Sequence, residues 1–134
     1  MGASSRPAQA TPVRLTVQAV RETVVPGTPG AYVLGRSLGT VRGTFRATYV
    51  GRSDVCVQSR LLVHAQAQRA EYFIVQRAAN PREAFFLECE YWHACVQGAT
   101  SLTNVLHPAS PGGSGLTCPY CEFAQVLVKY PVSA

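Results

Sequence analysis

The sequence predicts an α+β fold, in which a mostly antiparallel sheet carries a helix at the C-terminal end of the chain. Short stretches of alternating apolar and polar residues, typical of half-buried strands, occupy most of the chain. Clusters of Gly, Pro, Asn and Asp separate these stretches and mark turns. In the last segment, apolar residues instead recur at the helical spacing of three and four, at Phe123, Val126, Leu127 and Tyr130.

Several segments carry the strand pattern. The clearest is 41–50, where Val41, Phe45 and Tyr49 alternate with polar side chains. The other predicted strands are 13–20, 31–34, 55–65, 72–76, 92–98 and 102–107. His64 falls on the polar side of its predicted strand, so we expect it at the surface.

The predicted C-terminal helix begins at Cys118 and ends before Pro131. Cys118 and Pro119 suit the N-cap and the first helical position, because proline has the required φ and no N–H to leave unpaired there. Cys121 then lies in the first turn, where free backbone N–H groups and the helix dipole favour a thiolate. The sequence therefore predicts a lowered pKa for the Cys121 thiol.

Length and composition predict one globular domain over residues 13–134, preceded by a disordered leader over 1–12. The chain has 134 residues, 47% of them hydrophobic, but no apolar run long enough to cross a bilayer. Its first residues lack the apolar middle of a signal peptide. Five cysteines, an odd number, argue against a disulfide framework and for a reducing compartment. We therefore expect a cytoplasmic protein without a stable membrane anchor.

Positive charge is concentrated in the first part of the chain. The first 82 residues carry eleven arginines and three acidic residues, whereas the rest carry one lysine and four acidic residues. Arg42 and Arg46 lie on the polar face of the best-patterned strand, and Arg14 and Arg60 on the polar faces of other predicted strands. If these strands are neighbours, the four arginines form one surface that binds RNA phosphates with little sequence preference. A solvated basic face is the alternative.

Cysteines and histidines near the C-terminus permit three kinds of site. Cys118 and Cys121 form a C-x-x-C pair like that of glutaredoxins, but that fold carries its pair early in the chain. The same pair suits a tetrahedral zinc site with two further ligands from Cys89, His93 and Cys95. The third kind is nucleophilic, with a thiol at a helix N-terminus activated by a histidine that a second polar residue orients. Buried cysteines that only fill space are the alternative to all three.

Three motifs resemble those of the H-box/NC proteins, a group that includes lecithin-retinol acyltransferase, small phospholipase/acyltransferases and the 2A proteins of kobuviruses and parechoviruses. The family's H-box, Tyr-x-His-Trp-Ala-x-x-Val-Gly, is matched by His93, Ala94, Val96 and Gly98. A Val-x-His segment is matched by Val105 and His107. The NC box, which opens Asn-Cys-Glu and runs to a basic residue and Tyr, is matched by Cys121, Glu122, Lys129 and Tyr130. An Arg-, Ala-, Pro- and Gly-rich composition, and Gly2 as a viral protease cleavage position, favour the kobuvirus members.

The resemblance implies a papain-like domain of the NlpC type, with Cys121 as nucleophile, His93 as general base and His107 as the partner that orients it. We expect no bound metal or other cofactor. The resemblance also implies a non-structural picornaviral protein of the host-cell cytoplasm. Such a protein is not a protease, and it acts in viral RNA replication and encapsidation through viral RNA or host proteins.

Two alternatives to this non-enzymatic function remain open. One is an active Cys–His acyltransferase or phospholipase with an acyl-Cys121 intermediate, and a lesser one is a zinc-stabilised binding module. Tyr120 stands where the family has Asn, and Trp92 precedes His93 where the family's Trp follows the histidine. These departures favour the non-enzymatic function.

Overall fold

The computed structural model describes residues 11–37, 45–97, 102–103 and 107–121. In chain order, the strands and helices of these residues are β1 (Val13–Arg14), α1 (Val17–Thr23), β2 (Gly30–Ser37), β3 (Phe45–Ser53), α2 (Val57–Gln66), β4 (Tyr72–Arg77) and α3 (Pro81–Gln97). None of the helices in these ranges has the length and apolar character needed to cross a membrane.

The strands form a single antiparallel sheet in the order β1-β4-β2-β3. β2 is central and pairs with both β3 and β4, with a shift of register between Leu34 and Gly35 on its β3 side. Glycine is needed at position 35, because a Cβ atom there would lie 2.5 Å from the backbone oxygen of Arg46. This sheet with its helices confirms the predicted α+β class.

Helices cover both faces of the sheet. On one face, Tyr32 and Leu34 of β2 pack with Leu61 of α2 and with residues of α1. On the other face, Val33 of β2 packs in a second core with Tyr91 of α3. Because successive side chains of a strand point to opposite faces, β2 contributes to both cores and is buried over Gly30 to Gly35.

The predicted strand over 13–20 is wrong after its second residue, because a helix cap follows. The side-chain oxygen of Thr16 accepts a hydrogen bond from the backbone N–H of Ala19 at 3.0 Å, which starts α1. Val20 and Val24 then lie four residues apart and are both buried. A spacing of four residues is typical of one helix face, so the same residues are compatible with a helix and with a strand.

The predicted strand over 55–65 is also wrong, since these residues form most of α2. Val57, Leu61 and Ala65 are buried at intervals of four, and an interval of four is compatible with one face of a strand or of a helix. A turn held by the side chain of Ser53 directly precedes the helix. The Ser53 hydroxyl accepts hydrogen bonds from two backbone N–H groups just before α2, at 3.1 and 2.9 Å.

His64 is buried, which corrects the expectation of a surface position. It lies three residues after Leu61 on the inner face of α2, and only 2% of it is exposed. Its Nε2 atom lies 2.8 Å from the hydroxyl oxygen of Tyr32. Burial, aided by the charges of Arg69 and Arg60, lowers the pKa of His64 to about 4. The imidazole is therefore neutral at physiological pH.

The predicted strand over 92–98 belongs instead to α3, as far as the structure describes it. The Asn80 side-chain oxygen accepts a hydrogen bond from the Glu83 N–H at 2.8 Å, and Glu83 accepts one from the Ala79 N–H at 2.9 Å. With Pro81 at the first helical position, this is a helix start resembling a capping box. The Asn-Pro-x-Glu signal is present in the sequence, but it also fits the turn that we predicted there.

Two further strands, predicted over 31–34 and 72–76, are confirmed as β2 and β4, and the described part of 41–50 belongs to β3. Leu102, Thr103 and His107, predicted to form a strand, do not lie in one.

Other predictions concern residues that the structure does not describe. These are residues 1–10 of the predicted leader, Arg42, residues 98 and 104–106 of the last two predicted strands, and the helix beyond Cys121. Cys121 itself has helical conformation and follows a turn at Pro119 and Tyr120.

Candidate functional site

Four side chains with metal-binding or nucleophilic atoms meet near the end of α3. One ring nitrogen each of His93 and His107 and the sulfur atoms of Cys118 and Cys121 all lie within 4.8 Å of one another. The sulfur of Cys121 is 2.9 Å from Nε2 of His107 and 3.4 Å from Nε2 of His93. The structure thus brings together the three residues to which the motif resemblance assigns a catalytic role.

The two imidazoles are held by aromatic rings. The ring of Trp92 packs edge-on against both, with centroids 5.1 Å from His93 and 5.0 Å from His107. The ring of Tyr120 lies 5.9 Å from that of His93. His93 is 8% exposed, and burial, with the neighbouring His107, lowers the pKa of His93. His93 is therefore a neutral imidazole at physiological pH.

The tautomer of His107 follows from its neighbour in the chain. Its Nδ1 atom lies 2.7 Å from the carbonyl oxygen of Pro108. A carbonyl oxygen can only accept, so Nδ1 carries a proton and donates it. In the neutral ring, Nε2 is then unprotonated and accepts the S–H of Cys121. The longer contact leaves His93 able to donate from Nε2 to the same sulfur.

These distances differ from the arrangement that the resemblance implies. There, His93 is the base and His107 orients it, whereas here both rings contact the sulfur directly. His107 has the shorter contact and the fixed tautomer. The geometry therefore favours His107 over His93 as the base.

Cys118 precedes the turn that leads to Cys121, and the helix that it is predicted to cap lies beyond the described residues. The sulfur of Cys118 accepts a hydrogen bond from the backbone N–H of Tyr120 at 3.4 Å. The predicted lowering of the Cys121 pKa is nevertheless wrong. Burial, together with hydrogen bonding and charge from Cys118, raises the pKa of Cys121 to about 11. Desolvation and a second sulfur outweigh the helix N-terminus here, so the resting sulfur is a thiol.

A half-buried guanidinium holds the segment that carries His107. Arg52 of β3 forms ion pairs of 2.7 Å with Asp54 and with Glu88 of α3, and it donates to the carbonyl oxygen of Ala109 at 2.6 Å. Burial raises the pKa of Glu88 even though the Arg52 pairing acts in the opposite direction. No local sequence pattern around Arg52 predicts this role.

A cavity of about 500 Å³ opens beside Cys121 and His107. Phe85, Leu116 and Pro119 contribute apolar surface to its wall, and hydroxyl side chains also line it. The thiol and the imidazole are therefore accessible to a molecule with an apolar part.

The zinc ligands considered from the sequence are only partly those that the structure assembles. Cys89 lies one helical turn before His93, is fully buried and hydrogen-bonds with Cys118, and burial raises its pKa. Cys95 packs against the core that contains Tyr91. His107 takes the place of these two cysteines, and the donor set becomes two sulfurs and two imidazoles.

The described arginines of the predicted basic surface do not lie on neighbouring strands, and Arg42 is outside the described residues. Arg14 on β1 and Arg46 on β3 lie at opposite edges of the sheet, with β4 and β2 between them. Arg60 lies on α2 and not on a strand. Arg46 is instead the register partner of Arg36 on β2.

The fold and the site define an α+β domain with a thiol–imidazole cluster between its last described helix and the segment that follows. Comparison with protein-family models, with curated proteins and with solved structures finds no match to this chain. Arguments about its function therefore start from the site itself.

Proposed function

We propose that the protein carries out thiol-dependent acyl transfer, with Cys121 as nucleophile and His107 as general base. The observation that carries this is the 2.9 Å contact between the sulfur of Cys121 and Nε2 of His107, a nitrogen left unprotonated by the bond to Pro108. A nucleophile paired with a base of fixed orientation is the general plan of such sites.

The reaction begins at an ester carbonyl. Nε2 of His107 takes the thiol proton as the sulfur of Cys121 attacks the acyl carbon, and His93 donates a hydrogen bond to the sulfur as negative charge develops. The bond to the alcohol oxygen breaks, and that oxygen takes the proton from His107. An acyl thioester on Cys121 remains. Water or an acceptor hydroxyl, deprotonated by His107, then attacks it and restores the thiol.

The cavity favours an apolar acyl group. Phe85, Leu116 and Pro119 provide apolar contacts within reach of the sulfur. Short acyl chains of ester substrates fit a wall in which apolar and polar side chains are mixed.

Incubation with an activated short-chain ester, followed by intact-protein and peptide mass spectrometry, tests the proposal. We expect a burst of released alcohol and one acyl adduct, on Cys121. Cys121→Ala should abolish both, and His107→Ala should slow acylation by about 10²- to 10⁴-fold. Cys118→Ser is the matched control and should still acylate. Absence of an adduct on Cys121, or adducts spread over several cysteines, would contradict the proposal.

A second candidate is favoured by the fourth donor, the sulfur of Cys118. Two cysteine thiolates and two imidazoles are a donor set of structural zinc sites, and binding of the metal releases the thiol protons. Bond lengths of about 2.3 Å to sulfur and about 2.0 Å to nitrogen place tetrahedral ligand atoms roughly 3.3–3.8 Å apart. The observed cluster, within 4.8 Å, needs only a small contraction. The protein would then be a zinc-stabilised binding module, contrary to our expectation of no metal.

This candidate leaves no free thiol for acyl transfer. It fits the non-enzymatic function in viral RNA replication or host-factor binding that the motif resemblance implies. Addition of Co²⁺ to metal-free protein separates the two candidates, because tetrahedral thiolate coordination gives intense visible absorption. One equivalent bound, and lost in Cys118→Ser, supports the metal site, while an acylating protein without such absorption supports the enzyme.

A further inference from the structure

A second cavity, of about 520 Å³, lies between the sheet and α2 and shares no lining residue with the one beside Cys121. Its wall includes Arg36, Arg46, Arg69 and His64. The three arginines are exposed at the rim of this space and the imidazole is buried, so the cavity carries a local positive charge that attracts an anion. The acyl-transfer proposal uses none of these residues.

The three guanidinium groups come from separate parts of the fold. Arg36 lies near the end of β2, Arg46 pairs with it in register on β3, and Arg69 lies between α2 and β4. Within the described ranges, the carboxylate ion pairs are made by Arg52 and by none of these three. Arg36 makes one weak contact, 3.5 Å from the Arg69 carbonyl oxygen. The described wall of the cavity contains no acidic residue.

His64 presents a buried ring nitrogen to this cavity. The Tyr32 hydroxyl lies 2.8 Å from Nε2 of His64. When that hydroxyl donates its proton to Nε2, the proton of the neutral His64 ring lies on Nδ1. Nδ1 is buried and has no hydrogen-bond partner among the described residues. Such a group is costly unless an acceptor meets it.

Other polar groups at the wall have their protons engaged. The hydroxyl of Thr48 donates to the Leu34 carbonyl oxygen at 3.3 Å, and that of Thr103 donates to the Thr48 carbonyl oxygen at 2.8 Å. The ring of Tyr49, 5.1 Å from that of His64, adds a flat aromatic surface. The donors that remain at the described wall are the guanidinium groups, the Tyr49 hydroxyl and the ring of His64.

We propose that this cavity binds a phosphate group, held by Arg36, Arg46 and Arg69 and by the Nδ1–H of His64. Guanidinium groups match the oxygens of phosphate with paired, charge-assisted hydrogen bonds. The cavity exceeds the size of phosphate alone, and Leu34 and Tyr49 give it apolar wall. It therefore takes a phosphomonoester on a nucleotide-sized group, either a free mononucleotide or the 5′ end of an RNA strand.

Calorimetric titration of the full chain tests this. The probes are inorganic phosphate, adenosine monophosphate and two short RNAs of one sequence, one with a 5′-phosphate and one with a 5′-hydroxyl. We expect Arg46→Glu and Arg69→Glu each to lower the affinity for the phosphate-bearing probes by about tenfold or more. Arg77→Glu makes the same charge change at an exposed position of β4 outside the cavity and should alter affinity by less than about twofold.

Nuclear magnetic resonance of the His64 ring gives a second measurement. Nonspecific electrostatic attraction of a ligand to the arginines would leave the chemical shift of this buried ring proton unchanged. Saturating adenosine monophosphate should shift the Nδ1 proton downfield and slow its exchange with water. If the 5′-phosphorylated RNA binds more tightly than adenosine monophosphate, the ligand is the 5′ end of an RNA strand. If adenosine monophosphate binds more tightly, the ligand is a free nucleotide. The proposal is overturned if no phosphate-bearing probe binds, if Arg77→Glu weakens binding as much as Arg46→Glu, or if the His64 proton does not respond.

Discussion

The sulfur of Cys121 and the Nε2 atom of His107 lie 2.9 Å apart, at the end of a segment that the sequence marks only as a Gly-, Ser- and Pro-rich loop. The Pro108 carbonyl oxygen fixes the proton of the same imidazole on Nδ1. One loop therefore brings an oriented acceptor to a thiol whose pKa burial raises. The following predictions test this arrangement and the fold that supports it.

Cys56, rather than Cys121, should be the most readily alkylated cysteine of the metal-free protein near neutral pH. Its sulfur accepts hydrogen bonds from the Ser59 hydroxyl and the Gly27 N–H, both at 3.2 Å, and these lower its pKa. Because the thiolate is the reactive form, limiting iodoacetamide should label Cys56 first, as peptide mass spectrometry would show. Earlier labelling of Cys121 would mean that its thiolate is favoured after all.

Replacing Arg52 by Met should destabilise the fold by about 2–4 kcal/mol, because Glu88 would remain as a buried, unpaired carboxylate. Urea denaturation measures this. The double variant Arg52→Met/Glu88→Leu should recover most of the loss, since neither charge then remains.

The same Arg52 variant should slow acylation of Cys121, because Arg52 also holds the Ala109 carbonyl oxygen in the segment after His107. Recovery of stability without recovery of the acylation rate in the double variant would identify Arg52 as a positioning residue. Full recovery of both the stability and the acylation rate would show that Arg52 has only a structural role.

Gly35→Ala should cost about 1–3 kcal/mol of stability, because overpacking against fixed backbone is not easily relieved. The added Cβ atom would lie 2.5 Å from the Arg46 carbonyl oxygen at the register shift between β2 and β3. Gly112→Ala is the matched control, since a Cβ atom there meets nothing within 4 Å. Thermal or urea unfolding of the two variants should differ clearly, and equal stabilities would contradict the β2–β3 packing described above.

Acid should destabilise the protein through His64. Its pKa is about 4 in the folded chain, against 6.5 as the ordinary value, so the unfolded chain binds the proton more readily between these pH values. Stability is therefore fully present above pH 6.5 and is lost as pH falls towards 4, by about 2 kcal/mol between pH 7 and pH 5. Urea denaturation across this range, compared with His64→Gln, isolates the contribution. Parallel pH profiles for the two proteins would show that His64 is not the cause.

Local sequence patterns predicted part of the fold correctly. Alternation of apolar and polar residues identified β2 and β4, because a strand buried on a sheet leaves that period in the sequence whatever its partners are. The pattern failed for α2 and α3. Val57 and Leu61 are four residues apart, an interval shared by one strand face and one helix face. The helices follow a turn held by the Ser53 hydroxyl and a cap formed by Asn80.

By itself, the sequence determined the α+β class and the motif positions of His93, His107 and Cys121, since these depend on spacing along the chain. Only the tertiary structure decided which groups meet. Strand order separated Arg14 from Arg46, and the fold enclosed His64. Proton affinities and ligand geometry depend on distance and desolvation, which residues far apart in the chain create together, so no local pattern contains them.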